Sequence, residues 1–160
     1  MTNISPEIAI LPWVRVGAYA LVTDEAGRIL LCRTAPGFPA EGYWALPGGG
    51  VEHGEHPDGA VLRELEEETG LLGHSPQLAT VWSALVPRPA NGRGPMHWVA
   101  IVYRVMAEVR ELRMEVGGST DQCRWFNLEE VQQLPRAEMV DHALLSWKEG
   151  SADHGARLKT

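Results

Sequence analysis

A chain of 160 residues, 44% of them hydrophobic and 22% charged, has the composition of an ordinary globular protein and the length to bury a substantial core as a single domain. Its formal net charge of −7 argues against a sequence-independent nucleic-acid binder, which needs a basic footprint, but allows a small anion held by local arginines and a metal. The first residues lack the charged and apolar regions of a signal peptide, and no apolar run reaches the roughly 20 residues of a membrane span, so a cytoplasmic chain is expected.

Trp13 to Thr23 is an apolar, β-prone run, Asp24-Glu25-Ala26-Gly27 supplies a turn, and Arg28 to Arg33 resumes with Ile29-Leu30-Leu31, which predicts a β-hairpin. Thr34 to Tyr43 carries Pro36, Gly37, Pro39 and Gly42 and reads as a loop, whose aromatics Phe38 and Tyr43 could cover a base. The two cysteines, Cys32 and Cys123, suggest neither a disulfide framework nor a zinc motif and read as buried small side chains.

A glycine-rich turn, Pro47-Gly48-Gly49-Gly50, precedes a helix predicted from Pro57 to Thr69, with proline suited to its first position and Gly70 to the position after its last. At 100° per residue, Glu64, Glu67 and Glu68 share one face beside an apolar stripe of Val61, Leu62 and Leu65. Like charges at this spacing repel, and anions in the last helical turn oppose the helix dipole, by about 0.3–1 kcal/mol each. A solvated acidic face with an Arg63–Glu67 ion pair is the ordinary reading of such a helix. A hard divalent cation, Mg²⁺ or Mn²⁺, accounts better for the crowding, because such ions share their shell between carboxylates, waters and phosphates.

Leu78 to Val86 and Trp98 to Val109 have the content of strands, separated by the loop Pro87 to Pro95 with Arg88 and Arg93. Another loop, Gly117 to Asp121, leads to a short strand at Cys123 to Phe126 and to helices near Leu128–Leu134 and Glu138–Trp147. From Gly150 the chain reads as a polar tail. This order implies a sheet between helices, an α/β fold with no second domain.

The spacing Gly49, Glu55, Arg63-Glu64-Leu65, Glu67-Glu68, Gly70-Leu71 fills every fixed position of the Nudix box, so the chain resembles the Nudix hydrolases. Trp44 to Gly49 and Trp125 to Glu130 are similar to that family's flanking segments. The resemblance implies an α/β/α sandwich with a mixed β-sheet and hydrolysis of a diphosphate linkage. It implies Glu64, Glu67 and Glu68 as Mg²⁺ or Mn²⁺ ligands, aided by the carbonyl of Gly48 or Gly49, with Glu55 and Arg63 orienting them. Glu64 is the first choice of general base, ahead of Asp121 or Glu115. Arg33, Phe38, Arg88, Arg93 and Asp121 are the candidate substrate contacts.

Relatives acting on ADP-ribose often carry a proline about sixteen positions past the box, where this chain has Pro87, sixteen after Leu71. The expected substrate is therefore a nucleoside diphosphate derivative such as ADP-ribose or a nucleotide sugar. A (deoxy)nucleoside triphosphate, or a sensor domain that binds nucleotides without cleaving them, are the alternatives. The expected partner is a small-molecule nucleotide, with no nucleic-acid polymer and no membrane, and assembly into a homodimer stays open.

Overall fold

The computed structural model describes residues 11–87, 94–108 and 110–156, with side chains through Trp147. Seven strands and three helices are described: β1 Trp13–Leu21, β2 Ile29–Thr34, β3 Trp44–Ala45, β4 Gly48–Gly50, α1 Pro57–Thr69, β5 Gly73–Val86, β6 Met96–Ala107, β7 Thr120–Phe126, α2 Leu128–Gln133 and α3 Glu138–Ala156. One sheet runs β4-β1-β6-β5 and the other β3-β2-β7. β1 lies parallel to β6, and all other pairings between these strands are antiparallel.

Alternation along the strands explains the layering. Ala18, Ala20 and Val22 join Leu30 and Cys32 in a core with Val61 and Leu65 of α1. Their neighbours Tyr19, Leu21, Ile29 and Leu31 enter a second core with Val131 of α2 and Met139, Val140 and Ala143 of α3. Both sheets therefore form a middle layer buried on its two faces, with α1 on one side and α2 and α3 on the other, as a mixed α/β sandwich requires.

Helix α1 has its predicted bounds. His56 is the N-cap, its Nδ1 accepting from the N–H of Asp58 at 3.2 Å, and Pro57 follows at the first position. Gly70 ends the helix in the left-handed region at φ 73°, where its N–H reaches the Glu66 carbonyl at 2.8 Å.

Four sequence expectations need correction. The predicted hairpin closes only at its turn, where Thr23 bridges Ile29 and Asp24 N–H donates to the Arg28 carbonyl, after which β1 and β2 part into different sheets. Both edges of β1 are taken, one by β6 and the other by β4, so no edge remains for β2. The glycine-rich turn is itself the short strand β4, with Gly50 opposite Gly17 and Gly48 opposite Tyr19. The expected polar tail from Gly150 is still helical, because α3 continues to Ala156.

Cys32 and Cys123, expected as separate side chains, are buried as anticipated but bonded to each other as a disulfide. They are direct register partners across β2 and β7, an opposition that a separation of 91 residues hides in the sequence. A smaller difference is that β5 begins at Gly73, five residues before Leu78. Register shifts between His74 and Gln77 let the strand absorb Ser75, at φ 53°, and Pro76. Among the described residues no helix is long and apolar enough to cross a membrane.

Candidate active site

One arginine gathers most of the box. Arg63 donates through Nε and Nη2 to the two carboxylate oxygens of Glu55, each at 2.9 Å. Its Nη1 donates to Glu64 Oε1 at 2.9 Å and to Glu67 Oε2 at 3.1 Å, while Nη2 also reaches the carbonyl of Gly50 at 3.2 Å. The planar fork thus ties the loop before α1, the helix itself and β4 into one unit. The Arg63 hydrogen bonds, with the N–H of Glu52, hold the Glu55 carboxyl down at about 2, and the same pairing pushes Arg63 above its ordinary value.

Glu68 sits deeper, only 3% exposed. The Gly48 N–H donates to its Oε2 at 3.0 Å, and the Ser119 hydroxyl lies 3.5 Å from Oε1. Burial pushes the Glu68 carboxyl up to about 8; the Gly48 hydrogen bond pulls it down, and the charges of Glu64 and Glu115 push it higher. Glu64 is also raised by burial, against the pull of Arg63. Two carboxyl groups are therefore held where ionisation is disfavoured unless a cation compensates.

The strand beside them is shaped to admit them. A Cβ on Gly49 would lie 2.5 Å from Glu64 Oε2, so only glycine lets this carboxylate lie against β4. Gly49 pairs with Ala18, and the bonds on either side, Val51 N–H to Val16 O and Ala20 N–H to Pro47 O, direct Gly49's own polar groups into the ladder with β1. By the same alternation Gly48 and Gly50 turn theirs outward, as their bonds to Glu68 and Arg63 demonstrate.

The NUDIX domain family matches residues 13–148 of the chain. This chain is a Nudix hydrolase. It is 32% identical to an ADP-ribose pyrophosphatase of Methanocaldococcus jannaschii over 81% of its own length and 72% of that protein's. It is 33% identical to an RNA pyrophosphohydrolase of Acidiphilium cryptum, covering 78% of this chain and 81% of that one. Among solved structures, a MutT NUDIX hydrolase from Burkholderia pseudomallei superposes with a TM-score of 0.70 at 35% identity, covering 83% of this chain and 97% of the other. The fold and the reaction on a pyrophosphate bond follow from this kinship.

The Nudix hydrolase does not bring all its predicted site residues together. Asp121 accepts from Arg33 Nε and Nη2, each at 2.9 Å, and this pairing lowers the Asp121 carboxyl below its ordinary value. That engagement makes Asp121 a poor base, whereas Glu115, the other alternative, is close enough to raise both Glu64 and Glu68. Phe38 lies on a turn with its side chain 43% exposed, and Tyr43 is exposed as well. Arg88 and Arg93 lie outside the described residues.

Sequence reading missed Arg15. Its guanidinium lies beside Gly50, since a Cβ there would stand 3.3 Å from Nη2. The available signal was a charged residue inside the otherwise apolar run that opens β1.

Among the described residues no three His, Cys, Asp or Glu side chains close into a ready cage for a metal. Glu67 is turned to Arg63 and half exposed, while Glu64 and Glu68 face β4. Such an open, all-oxygen arrangement fits a hard divalent ion, which keeps several waters and shares its shell with phosphate.

Proposed function

We propose that this hydrolase cleaves the diphosphate linkage of a nucleoside diphosphate derivative, of the ADP-ribose or nucleotide-sugar class, with Mg²⁺ or Mn²⁺. The observation that carries the metal reading is the buried Glu68 carboxyl, raised to about 8 beside Glu64 and Glu115. Glu64, Glu67 and Glu68 would hold the ion, with the outward carbonyl of Gly48 favoured over that of Gly49, which the ladder already engages. When bound, the ion neutralises charge on the phosphate oxygens and lowers the pKa of a coordinated water.

The chain's own residues do the rest. Arg63 fixes the Glu64 carboxylate against β4, and Glu55 fixes Arg63. Glu64, raised by burial, would take a proton from the attacking water. Hydrolysis then puts the water's hydroxyl on one phosphorus, breaks the bridging P–O bond and leaves the other phosphate with the electron pair. The substrate class rests on the similarity to the ADP-ribose pyrophosphatase and on the place of Pro87.

The deciding experiment is a product assay over ADP-ribose, nucleotide sugars, dinucleoside polyphosphates, NADH, coenzyme A, nucleoside triphosphates and 5′-triphosphate RNA, with Mg²⁺, with Mn²⁺ and with chelator. Cleavage of ADP-ribose or a nucleotide sugar to two monophosphates, lost in chelator and restored by either ion, is expected. Exclusive release of pyrophosphate from triphosphates overturns the substrate class, and activity that survives chelation overturns the metal.

A further inference from the structure

Arg15 is a cation on the site's edge that the box chemistry leaves unused. β1 sends residues 15, 17 and 19 to one face, and Gly50 of β4 pairs with Gly17, which places the Arg15 guanidinium over Gly50. Arg63 holds the Gly50 carbonyl from the α1 side at 3.2 Å. The glycine strand therefore runs between two arginines, one embedded in carboxylates and the other bonded to no carboxylate among the described residues.

Most other arginines near a carboxylate are engaged. Arg28 pairs with Asp24, Arg33 with Asp121, Arg63 with Glu55, Glu64 and Glu67, Arg110 with Glu108 and Arg136 with Asp141. Arg15 makes no hydrogen bond or ion pair with a described residue, although its charge acts on the buried Tyr19 phenol together with those of Glu68 and Glu64. Tyr19 thus lies within electrostatic reach of both Arg15 and the acidic pair, and Arg15 bonds to neither carboxylate. Its register partner on β6 is Trp98, whose ring lies 6.0 Å from that of Tyr19 and 5.4 Å from that of Trp82. The rigid aromatic row beneath it limits where the arginine stem can go.

A guanidinium with no described partner, separated from a carboxylate cluster by a strand of three glycines, suits a ligand with two anionic groups. We infer that Arg15 binds the phosphate of the substrate that lies farther from the acidic cluster, so that a diphosphate straddles β4. The fork geometry then selects substrates with a second phosphate over monophosphates. This inference rests on the diphosphate reading above and deepens it.

Two measurements separate the inference from that reading. In chelator, where metal contributes nothing, titration calorimetry with ADP-ribose and with AMP on wild type and variant isolates the share of Arg15. Arg15→Ala is expected to weaken ADP-ribose by about tenfold or more and AMP much less, with Arg15→Lys between the two. With Mg²⁺, Arg15→Ala should raise KM for the best substrate by a similar factor and change kcat less than about threefold, as loss of uniform binding does. Arg15→Gln, which keeps the polar stem, replaces Arg15→Ala if the latter melts early.

Unchanged ADP-ribose affinity in the variant, beside a wild type that cleaves it, overturns the role of Arg15 and leaves the hydrolase reading standing. A wild type that binds ADP-ribose through Arg15 without cleaving it supports the inference and sinks the substrate class. An equal loss of AMP and ADP-ribose overturns the straddling geometry.

Discussion

The backbone N–H of Gly48 donates to the buried carboxylate oxygen Oε2 of Glu68 at 3.0 Å, joining the glycine strand to the last turn of α1. One N–H and the distant Ser119 hydroxyl are little support for an ionised group at this depth, and the C-terminal end of a helix disfavours a negative charge. The raised pKa of Glu68 reflects that shortfall. The position is therefore costly to the metal-free fold and useful once a cation arrives.

Glu68→Gln should separate those two effects in a pH-dependent way. The folded carboxyl titrates near 8 against 4.5 when free, so the folded state holds its proton more tightly. Stability from that proton is complete below about pH 4.5 and lost as pH rises through about 8. In chelator the variant should match wild type near pH 5 and melt higher at pH 9. Excess Mg²⁺ should put wild type ahead near pH 5 and narrow the gap at pH 9, since wild type gains about 2.7 kcal/mol at one hundred times its Kd while the variant loses most of that and most of its turnover. Thermal melts at the two pH values check this, and a variant that melts below wild type at pH 9 in chelator refutes it.

Glu55 shifts the other way. Its folded value is about 2 against 4.5 when free, so its ionised form adds stability above about pH 4.5 that is lost as pH falls through 2. Glu55→Gln should be less stable than wild type at pH 7, with the gap closing steadily below pH 4.5. Turnover should fall about 10–100-fold, because Arg63 loses the anchor that aims it at Glu64. Urea unfolding at pH 7, 4.5 and 3 measures the gap. A gap of constant size at all three would assign the loss to packing.

How legible each part was follows from how local its causes are. Helix α1 was readable to the residue because its signals, Pro57, Gly70 and the glutamate spacing, all lie within its own turns. The clamp was partly readable: the spacing gave Arg63–Glu67, while the reach of Arg63 to Glu55 and Gly50 depends on how the preceding loop and β4 fold back. The hairpin failed because pairing is decided by which strands compete for an edge, and β4 and β6, far along the chain, took both edges of β1. The Asp121–Arg33 ion pair was hidden for a similar reason, since the two residues lie 88 positions apart. The Cys32–Cys123 bond is likewise a product of register across β2 and β7.

The adjacent glycines Gly48 and Gly49 should fail differently when each becomes alanine. A Cβ on Gly48 would stand 2.3 Å from the Ala18 carbonyl oxygen and 2.7 Å from the Tyr19 Cα, and its φ of 150° suits no side chain. Both obstacles are backbone, so the ladder between β1 and β4 must open, at a cost of at least about 1–3 kcal/mol. The atoms nearest a Cβ on Gly49 all belong to the Glu64 carboxylate, with Oε2 at 2.5 Å and its carbon at 2.6 Å. That group ends a flexible side chain and can swing away while the backbone stays in place. Gly49→Ala should therefore keep its unfolding free energy within about 1 kcal/mol of wild type. It should nonetheless lose about 10²-fold or more in kcat, because Glu64 is driven out of the position that Arg63 holds for it. Melts and steady-state kinetics on both variants test the contrast. Equal destabilisation would mean that Gly49 serves the strand, and full activity in Gly49→Ala would remove Glu64 from the chemistry.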